Sequence, residues 1–122
     1  MTTLTRIASD LDALLATSSI PDYPQAINGI QVETSAAIVK VAAAVDLRER
    51  TIKGAMEAGA NLLIVHHGLF WAGLQPLRGP YYRRIHALLA SGIALYSSHL
   101  PLDAHPTIGN NVLLSRELGL TP

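Results

Sequence analysis

Two adjacent histidines, His66 and His67, follow the run Asn61-Leu62-Leu63-Ile64-Val65 and precede Gly68. An imidazole can ligate a metal ion or move a proton near neutral pH. A second group stands downstream in Tyr96-Ser97-Ser98-His99-Leu100-Pro101-Leu102-Asp103, where an aspartate follows a histidine by four residues. Imidazole and carboxylate together accept Zn, Mn, Fe, Co or Ni, with geometry deciding among them. A carboxylate can also bridge two cations, which a histidine cannot, so Asp103 suits a dinuclear centre.

Each of these residues has a plainer reading. In a regular strand, neighbours point to opposite faces. His66 and His67 therefore serve one centre only where the strand has ended, and Gly68 permits a sharp exit there. Otherwise they serve two centres on either side of the strand, or one is a hydrogen-bonded core histidine and the other a surface one. Asp103 is either a ligand or a loop cap before the last helix. His99 either ligates, orients a ligand, or relays a proton as the catalytic group beside the centre. Asp46 is an acceptor behind a ligand or simply the polar end of a strand. His105 reads as a loop residue and His86 as part of a solvated helix face. Asn28-Gly29 reads as a tight turn. Phe70 and Trp71 read as cover for the site or an interface. Ser97 and Ser98 beside His99 lack a third member for nucleophilic catalysis. Neither G-x-x-x-x-G-K nor G-x-G-x-x-G occurs, so a phosphate loop has no support.

The elements that must position these groups follow from periodicity. Leu4, Ile7, Leu11, Leu14 and Leu15 share one stripe of a first helix, capped by Thr2 or Thr3. Residues 18–24 form a loop, and a short strand follows Asn28-Gly29. A buried strand is expected at about 38–45, ending at Asp46. Residues 48–58 form a helix with Ile52, Ala55 and Met56 inward and Gly59 past its end. The strand leading to His66 comes next, then a connection over 68–80 containing three glycines and two prolines. A helix over 81–90 turns Tyr82, Ile85 and Leu89 inward. A strand over 93–98 and a helix over about 109–118 complete the chain. Helices alternating with strands predict an α/β fold, a largely parallel sheet flanked by helices. Gly59 and Gly92 each stand seven residues before a histidine, His66 and His99. If both strands are parallel and start level, both imidazoles emerge at one edge, where open α/β sheets bind ligands.

The 122 residues fit a single domain over 1–122, 49% hydrophobic and only 15% charged. Part of that apolar surplus is available to cover a partner, either another subunit or a missing half of the same protein. Net charge is zero and the nine basic residues are scattered, which is not the footprint of a nucleic-acid binder. The absence of cysteine excludes disulfides, thiolate zinc sites and a cysteine nucleophile. No apolar run approaches bilayer-spanning length and no signal peptide precedes the first helix, so a soluble cytoplasmic protein is expected.

Four segments occur in an order that resembles a known family. They are Asn28-Gly29-Ile30-Gln31-Val32, Ala44-Val45-Asp46, the stretch from Ala58 to Trp71, and Tyr96 to Asp103. In these the chain resembles the Nif-three-like dinuclear metal centre family, whose bacterial members are often named GTP cyclohydrolase I type 2. The resemblance spans essentially the whole chain. It implies a ring-shaped homohexamer with up to two divalent metal ions per subunit. It implies His66, His67 and Asp103 as metal ligands, with His99 matching the family histidine close by. The implied activity is hydrolysis of a purine-type ring by metal-activated water. One departure is large: the family completes its centre with a His-x-x-x-Glu motif near its C-terminus, and none follows Asp103 here. The chain thus resembles the N-terminal, metal-site half of a longer family chain. Water, another chain or a missing C-terminal half must supply the remaining donors. Two functions are expected from this: a metal-dependent hydrolase, incomplete as a catalyst on its own, or a non-catalytic oligomerisation or protein-interaction module.

Overall fold

Four strands form one mixed sheet in the computed structural model, which describes residues 2–120. The sheet order is β1 (Gly29–Val32), β4 (Ala94–Ser97), β3 (Leu62–His67) and β2 (Val41–Asp46). Strands β2, β3 and β4 are mutually parallel, and β1 runs antiparallel to β4 at one edge. The helices are α1 (Leu4–Leu14), α2 (Glu49–Glu57), α3 (Gly79–Ala90), the short α4 (Leu100–Asp103) and α5 (Asn110–Glu117). The chain is therefore α/β with a largely parallel sheet. No helix among the described residues is long and apolar enough to cross a membrane.

Side-chain alternation along β3 and β4 divides the core in two. Leu63, Val65 and Leu95 pack with Ile52 and Ala55 of α2 and Tyr81 and Leu88 of α3. Leu62, Ala94 and Tyr96 pack on the other face with Leu4 and Ala8 of α1. Full burial of a leucine such as Leu62 or Leu95 stabilises the fold by about 1.5–3 kcal/mol. Tyr96 also pins α1 by donating its hydroxyl proton to Asp12 at 2.7 Å. Burial, and then this carboxylate, push the phenol's pKa well above its ordinary value.

Four expectations need correction. Met56 of α2, expected inward, is 48% exposed. The strand expected from Ile38 begins only at Val41. Asn61 is the reason: its amide oxygen accepts the N–H of Val39 and Lys40, and its amide nitrogen donates to the Ala37 carbonyl. Those backbone groups are withdrawn from the ladder, and Ile38 instead bridges Thr2 and is buried under α1. On α3, Tyr81 and Leu88 are buried, whereas Tyr82 and Leu89 are 48% and 62% exposed. The Tyr-Tyr and Leu-Leu doublets make two stripes that share Ile85, so periodicity alone could not choose between them. On α1 the stripe ends early, since Leu14 is 53% exposed and Leu15 beyond the helix is buried.

Candidate metal centre

The register of β3 and β4 brings the histidines to one edge. Leu62 pairs with Ala94 and Val65 with Ser97, so the strands are offset by one residue relative to Gly59 and Gly92. These glycines have positive φ, +70° and +64°, and each turns the chain out of a helix into its strand. His66 therefore lies level with Ser98, and His99 one residue beyond. On the other side Asp46 pairs with His67.

His66 and His67 both belong to β3, yet their rings lie 4.5 Å apart. Strand alternation does not separate them because the ladder to β4 stops at Val65. Past that point His66 reaches over the end of β4, and its Nδ1 meets the Ser98 carbonyl at 2.9 Å. His67 leans the opposite way, with Nδ1 2.7 Å from Asp46 Oδ1. His99 places Nδ1 3.0 Å from Asp22 Oδ1. A carbonyl or carboxylate only accepts, so each ring carries its proton on Nδ1 and is left with Nε2 as a free donor atom. One ring nitrogen of each lies within 4.8 Å of the other two. Fixing Nδ1 on a backbone carbonyl or a carboxylate is how metal-ligating histidines are held in tautomer and orientation. The donor set therefore fits a divalent ion.

Asp103 joins from α4. Its Oδ2 lies 3.5 Å from His66 Nε2, and its Oδ1 accepts the Asn110 amide at 2.8 Å. Asp103 stands outside the tight group of three imidazoles but beside the free nitrogen of His66.

Asp22 had no motif to betray it. Its side chain is only 6% exposed and sits in the loop before β1. It accepts hydrogen bonds from Asn28 Nδ2, Leu100 N and Tyr23 N as well as from His99. Burial works against its charge, but these donors outweigh it and hold the carboxyl down at about 2. Asn28 is thereby more than a turn residue, because its Oδ1 also accepts the His99 N–H at 2.8 Å. The His67 hydrogen bond lowers the Asp46 carboxyl as well, against some burial and with help from Arg48.

Gly68 serves a different purpose from a sharp exit. A side chain there would collide with the Gln31 amide. That amide donates to the Ala26 and Ile27 carbonyls and accepts the Leu69 N–H, clamping the loop after His67 to the segment before β1. Trp71, carried on this loop, sets its ring 4.6 Å from His99 and 5.9 Å from His67, both edge-on. Phe70 packs instead against the core under α2 and α3. His105 accepts local N–H bonds from Thr107 and Ile108, and His86 lies beside Tyr82.

An α/β sheet with imidazoles gathered at the ends of adjacent parallel strands defines a small class of candidate metalloproteins. The chain belongs to the Duf34/NIF3 (NGG1p interacting factor 3) family, whose model matches residues 2–122. It is 56% identical over 96 residues to a Treponema pallidum protein named GTP cyclohydrolase 1 type 2 homolog, covering 78% of this chain and 34% of that one. A solved structure described as protein ybgI, unknown function, matches with a TM-score of 0.92 and 40% identity, over 98% of this chain and 48% of that one. A Thermus thermophilus protein, TTHA1606, matches with a TM-score of 0.90 and 44% identity, over 98% of this chain and 49% of that one. The chain thus spans between about a third and half of its relatives' length.

Proposed function

We infer that this chain holds a divalent metal ion for hydrolysis, with His66, His67 and Asp103 as ligands and His99 as the proton carrier beside them. The observation that supports this most is the three imidazoles, each fixed at Nδ1 and each with a second nitrogen free at one sheet edge. When bound, the metal supplies Lewis acidity and makes water a nucleophile at neutral pH. The protein's own part is orientation and proton transfer. Ser98 and Asp46 fix the two ligand rings of β3. Asp22 holds His99 with Nδ1 protonated and stabilises the ring when Nε2 takes up a second proton, as a buried carboxylate does behind a catalytic histidine. Trp71 screens one side of His99.

The family resemblance and the relatives' printed names extend the proposal to a purine-type ring as target; the resemblance alone extends it to a second ion and a homohexamer, and the sequence to a cytoplasmic location. The further donors for a second ion would come from water, another chain, or the part of the family chain beyond these residues. Metal analysis of purified protein against His66→Ala and Asp103→Ala tests the central assignment. The wild type is expected to retain Zn, Mn or Fe, and both variants to lose it. Equal metal content in all three would overturn the assignment.

A second reading, as an oligomerisation or protein-interaction module, is favoured by one feature. Val41 and Val45 on β2 are 47% and 65% exposed, and α5 buries none of its residues, leaving Leu113 and Leu114 in solvent. Self-association unchanged by His66→Ala, measured by light scattering, is expected on this reading. A compact monomer would contradict it.

A further inference from the structure

The basic residues are dispersed along the chain but not in space. Arg48, at the start of α2, and Arg84, on α3, line a cavity of about 180 Å³ that also has His67 and Trp71 in its wall. The same two arginines, joined by Arg50, line an adjoining depression of about 470 Å³. The first hollow opens beside the histidine cluster through His67, and the second shares Asp46, Arg48 and Arg84 with it.

The acidic groups there are already engaged. Glu49 pairs with Arg83 at 2.9 Å. Asp46 is held by His67 at 2.7 Å and lies 3.8 Å from Arg48. No ion pair among the described residues includes Arg84, which is half-buried, and its Nε is buried without any hydrogen-bond partner. The indole Nε1 of Trp71 is in the same condition. Buried donors without acceptors are costly, and a ligand or an ordered water is one way such a group is satisfied. The wall next to the cluster is therefore rich in N–H donors and carries net positive charge.

We propose that Arg48 and Arg84 form an oxyanion pocket, in which a phosphate or carboxylate group of the substrate sits while its reacting bond faces His66, His67 and His99. This rests on the metal-site reading for the word substrate, whereas the pocket itself needs no metal. Guanidinium groups match such oxyanions in shape as well as charge, because their N–H donors form a planar fork. The pocket fixes one end of the molecule, so the choice of substrate is made by an anionic group remote from the bond that breaks.

The test is an NMR titration of the purified chain, as isolated and after chelation, with inorganic phosphate, pyrophosphate and acetate. Phosphate, pyrophosphate or both are expected to shift the amides of Arg48, Glu49 and Arg84, and to do so after chelation too. Acetate binding at the same amides would identify a carboxylate ligand and equally support the pocket. Arg84→Gln is expected to weaken binding roughly tenfold or more, with Arg84→Lys intermediate. Arg48→Gln should act in the same direction, and because that side chain is 63% exposed the variant leaves the fold intact if Arg84→Gln does not. Metal content, read in parallel, is expected to be unchanged in the arginine variants. Wild-type affinity in both Gln variants, or no binding of any anion to the wild type, would overturn the pocket. A wild type that binds the anions but takes up no Zn, Mn or Fe would instead remove the metal reading and leave the pocket standing.

Discussion

At the scale of single residues, the site is made by what stands behind each imidazole. Asp22 is the clearest case. Its carboxyl is held at about 2, against an ordinary value of 3.8, while its side chain is 6% exposed. A depressed carboxylate stabilises the folded state in its charged form. That contribution, about 2 kcal/mol, is complete above the ordinary value and is lost as pH falls through 3.8 toward 2. Asp22→Asn is expected to lower stability at neutral pH by about that amount and to flatten the acid limb of the unfolding curve, both read by chemical denaturation across pH. His99 separates two roles. With His99 as the proposed proton carrier, His99→Gln is expected to retain metal and to lose whatever hydrolysis the chain supports, whereas His66→Ala is expected to lose the metal. Metal analysis alongside an activity assay distinguishes the two, and loss of metal in His99→Gln would make His99 a ligand instead. The histidines and Asp103 were legible because their types and spacing carry meaning in a linear string. Asp22 and Asn28 were not, because their role depends on a contact with His99 more than seventy residues away along the chain.

At the scale of elements, the parallel order of β2, β3 and β4 and the helices between them could be read from alternating patterns. Their ends could not. β2 starts late because the Asn61 side chain takes the backbone groups of residues 37, 39 and 40. Asn61→Ala is expected to destabilise the fold by about 1–2 kcal/mol and to raise amide exchange at Val39 without moving the site. The loop after His67 depends on the close approach of Gln31 to Gly68. Gly68→Ala is expected to displace the Gln31 amide, release Leu69 N–H and loosen Trp71, seen as a change in indole fluorescence. Unchanged fluorescence would show that the clamp does not hold the loop. The inward face of α3 differs from the expected one for a simpler reason, since two adjacent tyrosines and two adjacent leucines satisfy the helical period equally well. The short α4, which carries Asp103, has no periodicity of its own to read.

At the scale of the whole molecule, two faces of the sheet are treated differently. The α2 and α3 side holds the larger buried cluster, whereas on the α1 side β2 leaves Val41 and Val45 in solvent. Part of the apolar surplus expected from composition is exposed here and at Leu14, Leu113 and Leu114, and Met56, Tyr82 and Leu89 expose more of it on α2 and α3. Val45→Lys is expected to reduce any concentration-dependent association, measured by sedimentation, while leaving metal content unchanged. Composition foretold that such a surface exists but could not place it, because exposure is set by which strands α1 happens to cover. The functional account stands on the convergence at a different feature, the C-terminal edge of β3 and β4. An anomalous-scattering map of crystals grown with Zn or Mn tests that convergence most directly. The account predicts a peak roughly 2.0–2.2 Å from a ring nitrogen of both His66 and His67, with the Asp103 carboxylate among the ligands. A map with no peak among these side chains, in crystals that carry the metal elsewhere or in solution, would contradict it.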